Sequence, residues 1–171
     1  AFIGCGIHYG CGSFGLLSMR GTVMLIYFGI LLVAALIDWD TQIIYDRFHI
    51  FILILAIANI WLVPEHGLVD RLIGALIISV PMLLLALVIP GAFGGGDIKL
   101  MAVSGAFLGT GPVVCAMFFG LLTGGAYGAF MLKSKKLGKK DVFAFGPFLA
   151  FGLALAALYG DQIVTWYLHF L

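Results

Sequence analysis

Charged side chains are so sparse in this chain that they cut it into long apolar segments, several of them near the length of a membrane crossing. Thr22 to Ile37 and Phe48 to Val63 are strong runs, and Leu72 to Phe93 holds Pro81 as a kink and Pro90 as a terminator. Ile98 to Leu132 is longer than one crossing. Gly109-Thr110-Gly111-Pro112 is a strong turn signal inside it. It divides that stretch into a short helix, Ile98 to Leu108, and a full span, Val113 to Leu132. Val142 to Tyr159 forms the last span, and Asp161 to Leu171 forms an aromatic tail suited to a membrane interface. Ala1 to Met19 is a weaker, Gly-rich span.

Composition agrees. Hydrophobic residues make up 63% and charged residues 10%, whereas a soluble domain has about half apolar and roughly 25% charged residues. The mean hydropathy of +1.19 excludes both a water-soluble globule and a disordered chain. At about 20 residues per crossing, 171 residues accommodate roughly six or seven spans. The expected fold class is all-α, a polytopic transmembrane helix bundle forming a single domain over residues 1–171. A net charge of +1 without a broad basic patch gives no reason to expect nucleic acid as a partner. The partner composition implies is the lipid bilayer. Cys5, Cys11 and Cys115 lack the spacing of a disulfide framework or a C-x-x-C zinc site. They read as small apolar residues of membrane helices. The chain starts at Ala1 in mid-hydrophobic sequence, without a basic n-region, and is expected to be a fragment of a longer protein.

If the spans alternate, the loops 38–47, 91–99 and 133–141 share one side of the membrane. They hold Arg47, Lys99, Lys133, Lys135, Lys136, Lys139 and Lys140, seven of the nine basic residues. The positive-inside rule then places all three in the cytoplasm. This assignment requires the short helix after Asp97 to cross. The lysine run from Lys133 to Lys140 reads as an anchor against anionic lipid.

The same alternation gathers acids from distant parts of the chain. Asp38, Asp40 and Asp46 lie in Ile37-Asp38-Trp39-Asp40 through Tyr45-Asp46-Arg47, and Asp97 follows Gly94-Gly95-Gly96. A carboxylate at the edge of the hydrocarbon is costly, and by default suggests function. Taken singly, Asp40, Asp46, Glu65, Asp70, Asp141 and Asp161 read as solvated interface residues. Asp97 does not. Three residues without Cβ open backbone conformations closed to others, and they let an extended peptide approach closely. Irregular backbone at membrane depth is tolerated only when buried in protein or lining a watery cavity. A phosphate-binding nest is disfavoured, because Asp97 would repel the anion.

These residues resemble the type IV prepilin peptidases, bacterial membrane aspartic proteases of the G-x-G-D type. Gly94-Gly95-Gly96-Asp97-Ile98-Lys99-Leu100 is similar to the family's G-x-G-D-x-K-L signature. Ile37-Asp38-Trp39-Asp40 through Asp46 resembles its I-D-x-D stretch running on to P-D-x-L, with Tyr45 where the family usually has proline. Phe145-Gly146-Pro147-Phe148-Leu149-Ala150 is similar to its F-G-P-Y-L-A element. The resemblance covers about residues 22 to 152 and implies Asp38 and Asp97 as the catalytic pair. It implies supporting or substrate-binding roles for Asp40, Asp46, Gly94, Gly96, Lys99, Gly146 and Pro147. It further implies prepilin or pseudopilin helices of pilus and secretion systems as substrates, cut after a short basic leader. The expected location is a bacterial cytoplasmic membrane, with the active site facing the cytoplasm. Bacterial members commonly carry an N-terminal part with paired C-x-x-C motifs, associated with N-methylation. This sequence has no such motif, so that part is expected to be missing from the fragment.

The chemistry is also accessible from the residues alone. Two carboxylates within about 3 Å of a shared site cannot both ionise cheaply, so one proton is held between them. The ionised member can deprotonate a water while the protonated one donates to the scissile carbonyl. No cofactor or metal is called for, and His8, His49, His66 and His169 show no ligand spacing. His49 reads as an interface residue. The alternative from another class is a small cation- or proton-coupled transporter using the same aspartates. Against it, the acids lie at one face and no inverted repeat is visible.

Overall fold

The computed structural model describes residues 19–62, 67–89, 93–134 and 144–169. Within them the chain forms six helices and no strand: α1 (Met19–Thr41), α2 (Asp46–Leu62), α3 (Leu68–Val88), α4 (Gly95–Leu108), α5 (Thr110–Lys133) and α6 (Gly146–Leu168). Four of these contain stretches long and apolar enough to cross a membrane: Gly21–Thr41, Leu68–Val88, Thr110–Met131 and Gly146–Tyr167. α2 has 17 residues and α4 has 14. The molecule is a helical membrane bundle. The expected span over Ala1–Met19 lies outside the described residues apart from Met19 itself. So do Cys5, Cys11, Glu65, Asp141 and the lysines of 135–140.

The helices alternate in direction, and polar contacts mark two ends. At one end the C-terminus of α1 meets the N-termini of α2, α4 and α6. At the other, buried Arg71 in the first turn of α3 donates to the carbonyls of Ala106 and Phe107 at 3.2 and 2.8 Å, and to Asn59 O at 3.2 Å. Asn59 at the end of α2 adds a hydrogen bond to Phe107 O at 3.0 Å. Side-chain donors therefore satisfy carbonyls that α4 leaves open at its C-terminus. Thr110, which opens α5, is tied to Asp70 through both its amide and its hydroxyl. Gly109 separates α4 from α5 with φ 90°, a conformation glycine adopts freely. The turn signal in the sequence therefore marks a real helix boundary.

Between the two ends the core is apolar. Tyr27, Leu100, Met101, Phe107, Leu149 and Leu153 are fully buried, and Tyr27 stacks on Phe107 at 4.4 Å. Leu72, Leu76, Leu83 and Leu87 of α3 face outward, the position expected of side chains that meet lipid. Small residues let helices touch at backbone distance. A Cβ on Gly105 would collide with the Gly74 carbonyl, and one on Gly152 with the Ala116 carbonyl.

Several boundaries differ from those read in the sequence. α3 runs from Leu68 to Val88 rather than from Leu72 to Phe93, and α4 opens at Gly95, so Gly95, Gly96 and Asp97 form a helical turn rather than irregular backbone. α1 continues through Asp38 and Asp40 to Thr41, so these acids stand on the helix rather than in a loop. Nothing in the run breaks a helix, and Thr41 Oγ1 donates to Ile37 O at 2.8 Å. α6 continues past Gly160 to Leu168. Gly160 is a packing glycine there, since a Cβ would fall 2.7 Å from Pro112 Cβ.

Candidate active site

Asp38 is buried near the end of α1, 4% exposed. Its Oδ2 accepts a hydrogen bond from the backbone N–H of Gly146 at 3.0 Å. Gly146 is the first residue of α6, and Pro147 follows it, a favoured position because proline's fixed φ suits the first turn. The amides of that turn have no partner within the helix, and the positive end of the helix dipole favours an anion. Gly146 thus presents a donor to Asp38, and the absence of a side chain lets it come close.

Asp97 is buried in the first turn of α4, behind Gly94 as the cap residue. Its carboxyl reaches back to the Gly94 backbone amide, as acidic side chains of a first helical turn commonly do. Its Oδ1 has no hydrogen-bond partner among the described residues. Asp97 stands just ahead of the apolar run Ile98–Leu108. Asp38 and Asp97 come from the ends of two helices far apart in sequence, yet both are buried at the same end of the bundle.

Ile44 joins the two halves. This buried side chain of the loop between α1 and α2 touches both glycine elements. A Cβ on Gly96 would lie 2.9 Å from Ile44 Cβ, and one on Gly146 would lie 3.1 Å from Ile44 Cδ1. The loop leaves α1 through Gln42 at φ 55°. Gly94 and Gly95 are exposed beside the pair, which leaves their backbone open to an extended peptide. Phe93 and Phe145 lie 5.8 Å apart at ring centroids, and Tyr127 bridges Trp39 and Phe148. Aromatic rings from α1, α5 and α6 thus stand around this end of the bundle.

The supporting residues divide. Asp46 and Lys99 form an ion pair, Oδ1 to Nζ 2.7 Å, with both side chains largely exposed. The hydrogen bond from Lys99 holds the Asp46 carboxyl below the usual carboxylate range. Asp40 is exposed, and on a helix it is turned roughly 200° from Asp38. His49, read in the sequence as an interface residue, is instead buried and hydrogen-bonded through Nε2 to Gly96 O at 3.0 Å. Its position three residues after Asp46 on α2, a facing pair on a helix, was the signal available in the sequence.

The type IV leader peptidase family matches residues 25–129. The chain belongs to that family. The matched residues include both Asp38 and Asp97. Curated relatives carry the name prepilin leader peptidase/N-methyltransferase. The Bacillus subtilis protein is 32% identical over 98% of the chain and 65% of its own length. The Pseudomonas aeruginosa protein is 31% identical over 95% of the chain and 57% of its own length. The Stutzerimonas stutzeri protein is 30% identical over 98% and 60%. The chain therefore spans about three fifths of the length of these relatives. No solved structure matches it. Membership in a leader peptidase family leaves the transporter alternative without support.

Proposed function

We propose that the chain is a membrane-embedded aspartic endopeptidase that removes the short basic leader of type IV prepilin-like proteins. The observation that carries the reading is the convergence of Asp38 and Asp97. They are two buried carboxyls at one end of a helical membrane bundle, where Ile44 packs against both Gly96, the neighbour of Asp97, and Gly146, the partner of Asp38. The names of the relatives supply the substrate class, and only the peptidase half of those names is assigned to these residues.

In the reaction, a proton held between the carboxyls leaves one of them ionised. The ionised member accepts a proton from a water as that water attacks the scissile carbonyl. The protonated member donates to the carbonyl oxygen as the carbon becomes tetrahedral. Collapse of that intermediate breaks the C–N bond; the departing amine takes a proton from the carboxyl that accepted one from water, and a hydroxyl proton of the intermediate returns to the other carboxylate as the C=O bond reforms. Gly146 N–H steadies Asp38 and the first turn of α4 carries Asp97, so both carboxyls are oriented before substrate arrives. No step needs a cofactor.

The active site is assigned to the cytoplasmic face of a bacterial cytoplasmic membrane, on the strength of the seven of nine basic residues that alternating spans would give to that side. The acids Asp38, Asp40, Asp46 and Asp97 suit a basic leader. The test is cleavage of a prepilin-like substrate by purified protein in detergent. Leader removal that disappears in both Asp38→Asn and Asp97→Asn supports the reading, and wild-type protein that leaves the substrate whole refutes it.

A further inference from the structure

The first turn of α4 is poorly held by its own residues. Gly94, Gly95 and Gly96 bring no side chains, and a Cβ on Gly95 would meet nothing within 4 Å. Glycine also loses the most conformational freedom on ordering. Yet this turn ends in Asp97. Something outside it must fix the Gly96–Asp97 peptide if the carboxyl is to keep one orientation.

The tether comes from α2. His49 is 5% exposed, and its Nε2 lies 3.0 Å from Gly96 O. A carbonyl only accepts, so Nε2 carries the hydrogen. The carbonyl has two lone pairs and can serve both its own helix and the imidazole. On the other side of the ring, Nδ1 then carries only a lone pair and has no hydrogen-bond partner among the described residues. Asp46 Oδ1, 3.5 Å away, is engaged instead by Lys99 Nζ at 2.7 Å. The bond to Gly96 O is therefore the polar contact that ties this buried ring to α4.

We propose that His49 is a positioning residue: its Nε2–H holds the Gly96 carbonyl and so fixes the peptide that carries Asp97. The inference deepens the peptidase reading and rests on Asp97 being catalytic for its kinetic consequence.

The test compares His49→Leu, which fills the space without a donor, with His49→Gln, whose amide nitrogen can take the place of Nε2. In leader cleavage by the full-length protein, His49→Leu should lower kcat by about 10- to 100-fold with KM nearly unchanged. His49→Gln should recover most of the loss. A second arm does not depend on activity. Labelling glycine carbonyl carbon with 13C and aspartate nitrogen with 15N marks the two Gly-Asp bonds of the sequence, Gly96–Asp97 and Gly160–Asp161. His49→Leu should shift the first signal and leave the second, whereas His49→Gln should leave both near their wild-type places. If His49→Leu does not fold, the signal shift in His49→Met, another side chain without a donor, decides. An unmoved Gly96–Asp97 signal in the folded variants overturns the proposal, as does equal kcat in wild type and His49→Leu. Wild-type protein that fails to cleave, with the signal shifting as described, would defeat the peptidase reading and leave the tether standing.

Discussion

Gly146→Ala adds one methyl group and removes no functional group. The ideal Cβ would stand 2.5 Å from Asp38 Oδ2, 2.9 Å from Asp38 Cγ and 3.1 Å from Ile44 Cδ1. Carbon and oxygen without a covalent bond ordinarily approach no closer than about 3.3 Å, so the carboxylate must retreat by roughly 0.8 Å. The hydrogen bond from Gly146 N–H stretches as it does so. The helix itself accepts alanine readily: only Gly109 among the described glycines has a positive φ, and alanine is the better helix former. The carboxylate is the movable end of a side chain, so the protein should fold and insert normally. A misplacement of about 1 Å at a reacting group can cost on the order of 100-fold in rate, equivalent to about 2.7 kcal/mol on the barrier. The assay is the initial rate of leader removal from a prepilin-like substrate, normalised to monodisperse protein, with Gly95→Ala as control. Gly95→Ala should stay near the wild-type rate because its Cβ meets nothing. Gly146→Ala retaining more than about a third of wild-type activity would refute the claim that Gly146 sets the place of Asp38.

Further outcomes are expected from other positions. Asp38→Asn and Asp97→Asn should each abolish cleavage, since an amide cannot share or accept the proton, while Asp40→Asn on the exposed face should be milder; an inactive Asp40→Asn beside an active Asp38→Asn would reverse the assignment of the first aspartate. Gly96→Ala and Gly94→Ala should slow cleavage in protein that still folds, because their Cβ atoms would press on Ile44 Cβ at 2.9 Å and Asp97 Oδ2 at 3.2 Å; rates equal to that of Gly95→Ala would make the glycines a linker only. Gly105→Ala should lower the thermal midpoint by forcing α3 and α4 apart, an overpacking cost of about 1–3 kcal/mol; an unchanged midpoint would mean that the contact with Gly74 yields without strain.

The spans from Thr22 onward, the break at Gly109 and the gathering of Asp38 with Asp97 were legible because each is written locally. Charges end apolar runs, glycine and proline mark turns, and alternation carries two acids to one end. The continuation of α1 to Thr41 was harder to see: acids beside a membrane span read as a loop when only their polarity is weighed. The last span likewise ends at Tyr159 when Asp161 is weighed only as a charge, and only Pro112, far away in the sequence, shows why Gly160 is a glycine inside α6. Pairings across the bundle left no local trace. That Gly146 donates to Asp38, and that Ile44 packs against both glycine elements, follows from helices meeting at a distance along the chain. His49 stands between the two cases, since its spacing from Asp46 was visible but its partner Gly96 was not.

The cap that Arg71 and Asn59 place on α4 has a consequence for where the aspartates sit in a bilayer. Fourteen helical residues rise about 21 Å, against roughly 30 Å of hydrocarbon, so both ends of α4 cannot reach the headgroups at once. The end closed by Arg71 and Asn59 has its carbonyls served by protein and needs no water there. On the proposed peptidase mechanism, the end that bears Asp97 needs water as a reactant. The shortfall therefore falls on the closed end, which can lie submerged while the other stays wet. α4 then works as a depth gauge: its buried foot fixes how far below the surface the carboxylates reach, and hence how far a substrate helix must rise for its leader junction to meet them.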